Sequence, residues 1–211
     1  MVSAVRDAVR SREAILDAAE QLFASQGFDA TSLAEIGQRA GLSRGTPNYF
    51  FGSKGDLYAA VIERMFRARG VALGPSFGRL ADWARTKDPP EPLDKVLSAT
   101  VDGYLRFLHE RPTFVAIIER EALAGGERLA AVEPASTVME DAFGALRRSA
   151  RSHGLRAFDV SEIVITLVAL AFMPLAHRDT MLRRHDLDPD DRRFQVRRRR
   201  HIVGVLMHLM T

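Results

Sequence analysis

The sequence predicts an all-α protein of about nine helices, with a small helix-turn-helix module ahead of a larger helical domain. Three observations carry this reading. Apolar residues recur at helical spacing along the whole chain, and no run alternates in the manner of strands. Near the front a short helix closes at Gly41 and a second capping residue, Ser43, follows two positions later, which is helix-turn-helix spacing. Hydrophobic residues make up 46% of the 211, enough for a sizeable core in one domain or in a module fused to a larger one.

The first helix carries Ile15, Ala18, Ala19, Leu22 and Phe23 on one stripe and should stop at Gly27. In the second, Ser32 and Glu35 have capping-box spacing, Leu33, Ile36 and Ala40 share a face, and Gly41 ends the helix after about two turns. The third begins near Ser43. A fourth runs from about Lys54 to Gly70 with Leu57, Val61, Ile62 and Met65 inward, and the break at "KDPPEP" ends whatever follows. Further amphipathic segments occupy 92–110, 112–124, 134–153, 158–177 and 189–210. "AGGERL" and "RDTMLRRHDLDPD" read as loops, the second long and charged enough to be mobile.

Composition narrows the function classes. Cysteine is absent, so there is no disulfide framework, thiolate metal site or cysteine nucleophile, which suits a reducing cytosol; a cytoplasmic protein is expected. The N-terminus, "MVSAVRDAVRSREAILDAAE", has charges throughout and lacks the apolar core of an export signal. The longest apolar run, Ile163 to Ala176, is short of the ~20 residues a bilayer-spanning helix needs, so it reads as a buried helix and no membrane partner is expected. Residues 1–55 hold six cations and six acids, so any basic face there has to be local.

The stretch "SRGTPNYFFGSK", residues 43–54, concentrates the chemistry. Arg44, Thr46, Asn48, Tyr49 and Lys54 offer a guanidinium, a hydroxyl, an amide, a phenol and an ammonium, a mixture suited to phosphate oxygens and base edges. A polar surface helix is the alternative, and Phe51 is core under either. Pro47 fits two helix starts. With Ser43 as N-cap it forfeits only the first intrahelical bond; with Thr46 as N-cap it occupies the first helical position, which proline favours. Gly45 leaves room for close approach to a sugar-phosphate backbone.

Residues 18–61, "AAEQLFASQGFDATSLAEIGQRAGLSRGTPNYFFGSKGDLYAAV", resemble the DNA-binding domain of the tetracycline-repressor (TetR) family, with "LF…GF.ATS…IG..AG.SRGT" and "YFF.SK..LY" in order and spacing. The resemblance implies a DNA-binding domain at 1–55, whose third helix enters the major groove, and a ligand-binding and dimerising domain at 56–211. By position it places Arg44 and Asn48 against bases, Ser32, Thr46 and Tyr49 at the backbone or groove edge, and Lys54 on a phosphate. The family commonly has leucine and then tyrosine where this chain has Pro47 and Asn48.

Beyond residue 70 there is no HExxH, GxSxG or P-loop, so no catalytic residue, metal or cofactor is expected. The resemblance implies a pocket for a small apolar or aromatic effector among the middle helices, with Trp83, Tyr104, Phe107, His109, Phe114, Ile118, Glu119 and Phe143 as candidate lining. It also implies a homodimer through the last two helices, with Ile202, Val205, Leu206, Leu209 and Met210 as the interface stripe. The "RRRR" run at 197–200 reads as a solvated helix face. The expected function is a ligand-responsive transcriptional regulator, a repressor, that binds a pseudo-palindromic DNA operator as a dimer. The rival readings are a regulator without a small-molecule effector, and a helical enzyme or binding module that resembles the family only at the front.

Overall fold

The computed structural model describes residues 2–132 and 137–211, with side chains from residue 6. Every regular element among the described residues is helical: α1 Val2–Ala30, α2 Leu33–Arg39, α3 Thr46–Phe51, α4 Lys54–Arg85, α5 Leu93–Glu110, α6 Pro112–Leu123, α7 Glu127–Ala130, α8 Val138–Arg148, α9 Val160–Ala176 and α10 Arg192–Met210, with short 3-10 or π turns at Ala150–His153, Arg178–Leu182 and Arg183–His185. The chain forms two compact units, Met1–Arg67 with Pro112–Ala135, and Ala68–Arg111 with Ser136–Thr211. The start of the segment expected over 134–153, residues 134–136, lies outside the described residues.

In the first unit α1 packs on α6, α2 and α3. Its stripe of Ile15, Ala18, Ala19, Leu22 and Phe23 is buried as the spacing required. Gly27, at φ 86°, breaks α1 where a stop was expected, but one more turn follows to Ala30. Ser32 caps α2: its Oγ accepts from the Glu35 N–H at 3.2 Å. The capping box is only half made, because the Glu35 carboxylate instead accepts from Gln26 Nε2 at 2.9 Å.

The fourth helix does not end at Gly70. It continues to Arg85 through three glycines and Pro75, because Leu73, Phe77, Leu80, Ala81 and Ala84 extend the buried stripe and their burial outweighs weak local propensity. Pro75 has no N–H for the Val71 carbonyl, and Val71 is 75% exposed, on the side where water can serve instead. Both segments read as loops also coil. "AGGERL" holds α7, opened by Gly126 at φ 75°. The 178–190 stretch turns on a buried Leu182 and on ion pairs from Arg183 to Asp179 and from Arg178 to Asp190, each 2.8 Å.

In the second unit α5, α9 and α10 pack together and α8 lies on α9. Pro174 interrupts α9 and leaves the Leu170 carbonyl without its i+4 donor. Arg198 supplies the replacement, with Nε at 3.0 Å and Nη2 on the same oxygen. Arg199 reaches Asp102 of α5 at 3.1 Å. The arginine run is therefore a solvated face only at Arg197 and Arg200. Arg198→Ala should destabilise the chain by about 1–3 kcal/mol, the cost of a stranded carbonyl and a missing charged donor. The same change in a Pro174→Ala background should cost less, because the new amide N–H takes that carbonyl; equal costs in denaturant titrations of both backgrounds would refute the exchange.

Candidate nucleic-acid interface

α3 starts one residue earlier than the later of the two expected starts. Gly45 holds the cap position, Thr46 is the first helical residue and Pro47 the second. Ser43 is not the cap; its carbonyl closes a turn by accepting from the Thr46 N–H at 3.0 Å, and the two hydroxyls lie 2.7 Å apart. The second position of a helix has no intrahelical acceptor for its N–H, so Pro47 costs no hydrogen bond. It is also the one buried residue of α3. A Cβ at Gly37 of α2 would lie 3.1 Å from the Pro47 ring, 2.7 Å from the Ser43 carbonyl oxygen and 3.3 Å from Arg44 Cα. The proline is thus the hydrophobic foot of the helix, set on a glycine that lets the two backbones touch. Sequence reading missed Gly37, whose signal was a glycine inside a short capped helix.

With Pro47 inward, α3 turns Asn48 and Tyr49 outward. Tyr49 is 85% exposed, a large aromatic surface left in water. Arg44, Gly45, Asn48 and Ser32 are also exposed, and Thr46 is half-buried. Among the described residues other than its two chain neighbours, nothing lies within 4 Å of a Cβ placed on Gly45. Phe51 is half-buried rather than core, with the Arg12 guanidinium 4.9 Å from its ring centre.

Lys54 departs from expectation. Its ammonium donates to the carbonyls of Phe28 at 2.9 Å, Asp29 at 3.3 Å and Thr31 at 2.9 Å, and lies 4.4 Å from the Phe28 ring centre. Three donors meet three acceptors, so Lys54 clamps the end of α1 instead of presenting a free charge.

The same accounting explains how a neutral module acquires a basic surface. Arg64 gathers Asp17 at 2.6 Å, Glu20 at 2.7 Å and Glu13 at 3.5 Å. Asp29 pairs with Arg128 at 3.5 Å, Glu35 is held by Gln26, and Asp7 also has a partner. All six acids are engaged, whereas Arg6, Arg10, Arg39 and Arg44 are exposed with no carboxylate partner among the described residues. The unneutralised charge is positive.

Arg64 and the Arg128 contact come from outside residues 1–55, so the head is completed by α4, α6 and α7. Buried Glu121 of α6 accepts from the Tyr58 hydroxyl at 2.8 Å; burial, and then that carboxylate, push the phenol's pKa well up and keep it a neutral donor. Arg120 caps the Ala24 carbonyl at 2.9 Å and that of Ser25 at 2.5 Å.

Profiles of known families match two parts of the chain: bacterial regulatory proteins of the tetR family at residues 15–61, and the tetracyclin repressor-like C-terminal domain at residues 90–206. The second match alone covers more than half the sequence. The chain belongs to the TetR family. It is similar to the transcriptional repressor NicS of Pseudomonas putida, 25% identical over 181 residues, which cover 83% of this chain and 81% of that protein. It also resembles the transcriptional regulator AcrR of Shigella flexneri, 41% identical over 58 residues, or 28% of this chain and 27% of AcrR. A TetR-family transcriptional regulator from Haemophilus influenzae shares the fold, with TM-score 0.63 and 15% identity over 97% of this chain and 98% of that one. TetR-family members are ligand-responsive, DNA-binding transcriptional regulators that work as dimers, not enzymes.

The residues expected to meet an effector divide between the units. Phe114, Ile118 and Glu119 are on α6 in the first; Trp83, Tyr104, Phe107, His109 and Phe143 are in the second. Within the second, the Trp83 indole N–H donates to the Glu91 carbonyl at 2.7 Å, and its ring centre is 4.5 Å from that of His153. His109 has Nδ1 2.7 Å from the Leu105 carbonyl and Nε2 3.0 Å from that of Pro189, so each ring nitrogen faces a backbone carbonyl. Tyr104 is fully buried, and burial pushes its phenol up to about 12 against the pull of the Arg69 charge.

The expected dimer stripe is overturned in part. Ile202, Leu206 and Met210 are each 0% exposed inside their own chain, and only half-buried Val205 and exposed Leu209 face outward. On the last two long helices the apolar side chains that do reach solvent include Ile165, Ala169 and Met173 of α9, at i, i+4 and i+8, and Val196 and Leu209 of α10. No single helix among the described residues is long and apolar enough to cross a membrane.

Proposed function

We propose that this TetR-family chain is a cytoplasmic, dimeric repressor that binds a pseudo-palindromic operator through residues 28–54 and is released by a small apolar or aromatic effector. The observation that carries the DNA-binding part is the division of labour in α3. Pro47 is buried against Gly37, and Asn48, Tyr49 and Arg44 are left exposed beside unneutralised positive charge. Arg44 and Asn48 read base edges; Ser32, Gly45, Thr46 and Tyr49 meet the backbone or groove edge. The Ser32 hydroxyl accepts within α2 and keeps its proton for a phosphate oxygen. Residues 1–55 remain the functional reading head and 56–211 the effector and dimer part. Repression follows the similarity to NicS.

Within the second unit the effector would contact Trp83, Tyr104, Phe107, His109 and Phe143, with Tyr104 as a polar anchor. It acts only by binding the two conformations unequally, with a coupling on the order of 1–3 kcal/mol. The revised dimer face is Ile165, Ala169 and Met173 with Val196, Val205 and Leu209, a self-complementary two-fold surface.

The test selects bound duplexes from a random library and then titrates salt with variants. Arg44→Ala or Asn48→Ala should cost about 1–3 kcal/mol at one base position per half-site and relax the preference there. Lys54→Ala should lower the melting temperature and leave the salt slope nearly intact, because its donors are occupied by carbonyls. Loss of slope without loss of stability would return Lys54 to the phosphates. Uniform weakening by Arg44→Ala on all sequences would make it a backbone contact.

A further inference from the structure

We propose that the first unit carries a ligand site of its own, a cleft at the end of α1 that takes a zwitterionic α-amino acid with an apolar side chain. The site goes beyond the regulator reading and does not depend on it. The cleft has a volume of about 340 Å³ and is walled by the end of α1, by Tyr58 of α4, by the last turn of α6 and by Arg128 of α7. All of its lining residues belong to the first unit, and none is among those expected to meet the effector.

Glu121 gives the cleft its chemistry. Its side chain is 3% exposed. Oε1 accepts from the Tyr58 hydroxyl at 2.8 Å and lies 3.6 Å from Arg128 Nη1, whereas Oε2, also buried, has no hydrogen-bond partner among the described residues. A buried carboxylate oxygen without a donor is costly, so a ligand that brings a donor gains more here than at an exposed acid. One water, of about 30 Å³, would satisfy the oxygen; the cleft has room for a molecule of amino-acid size.

Arg128 supplies the opposite charge. Its guanidinium is 3.5 Å from Asp29 and 3.6 Å from Glu121. Both contacts are longer than the ~2.8 Å of a charge-assisted hydrogen bond, so the fork is held loosely and can close on a carboxylate that approaches squarely. A ligand that is only cationic meets Arg120 and Arg128 beside the acid, and one that is only anionic meets Glu121. An ammonium on Glu121 with a carboxylate on Arg128 satisfies both, and groups 3.6 Å apart are close enough for the two charged ends of one amino acid.

The rest of the cleft is apolar. Phe23, Phe28 and Tyr58 form a cluster with ring centres 4.8, 5.1 and 6.0 Å apart, and Leu123, 82% exposed, lines the same cleft. An apolar side chain on the ligand would cover that leucine.

The experiment titrates the full chain, without DNA, in a calorimeter. The probes are L-phenylalanine and L-leucine, with 3-phenylpropionate, which lacks the ammonium, and 2-phenylethylamine, which lacks the carboxylate. L-phenylalanine should bind once per chain, and each single-charge analogue about tenfold or more weakly. Glu121→Gln keeps an acceptor for Tyr58 and should bring L-phenylalanine and 3-phenylpropionate to similar affinities. Arg128→Ala, a change at a half-buried side chain that serves if the first variant fails to fold, should do the same for L-phenylalanine and 2-phenylethylamine. No saturable binding of either amino acid at millimolar concentration, or of equal strength for all the phenyl probes, would overturn the site. So would an unchanged affinity for L-phenylalanine in either folded variant. None of these outcomes bears on the reading head, which duplex selection tests separately.

Discussion

Gly37→Ala should lower the melting temperature and largely abolish operator binding, although it adds one methyl group. That methyl would lie 2.7 Å from the Ser43 carbonyl oxygen and 3.3 Å from Arg44 Cα, both backbone atoms that no rotamer change can move. Overpacking of this kind costs about 1–3 kcal/mol, and a chain of this length loses roughly 2–4 °C per kcal/mol. The turn must shift to relieve it, and with it Arg44 and the seat of Pro47, so α3 is presented at another angle. Gly45→Ala is the control. Apart from its two chain neighbours, no described residue has an atom within 4 Å of its Cβ, so it should melt with the parent and lose affinity only if the sugar-phosphate backbone approaches there. A Gly37→Ala protein that melts and binds like the parent would refute the close crossing of α2 and α3.

The second large effect is expected on α9. Ile165→Glu with Met173→Glu places two charges on the face proposed for the dimer, at side chains 58% and 39% exposed in the protomer. Folding should survive, and sedimentation should show a monomer. Operator affinity should fall by about 10²–10⁴-fold, the avidity that disappears when two heads are no longer linked. Leu206→Glu is the contrast: buried in its own chain, it should unfold the protomer before it tests any interface. A double variant that stays dimeric would place the interface elsewhere.

Much of this was legible in the residues. Period-3.6 stripes marked the helices, Ser32 and Gly41 bounded α2, and Gly27 marked a break, because caps and left-handed glycines are local physics. The head's chemistry was legible as residue types at positions 43–54. Local signals misjudged the end of α4, because burial of Leu73, Phe77 and Leu80 carries the helix past Gly70 and Pro75. They misjudged the last helix for the same reason. An apolar stripe on α10 looks alike whether it faces its own α5 and α9 or a second subunit, and packing within the chain buries Ile202, Leu206 and Met210.

The sequence by itself determined an all-α chain, a short capped helix followed by a tight turn, and a head with equal numbers of cations and acids. Only the tertiary structure decided which of those charges are spent. Lys54 is consumed by three carbonyls of α1 and its following turn, all more than twenty residues away, and Arg64 by three acids of α1, while Arg6, Arg10 and Arg44 remain exposed. Composition counts charges, but the field at a surface depends on which of them have partners, and partners distant in sequence meet only when the helices pack.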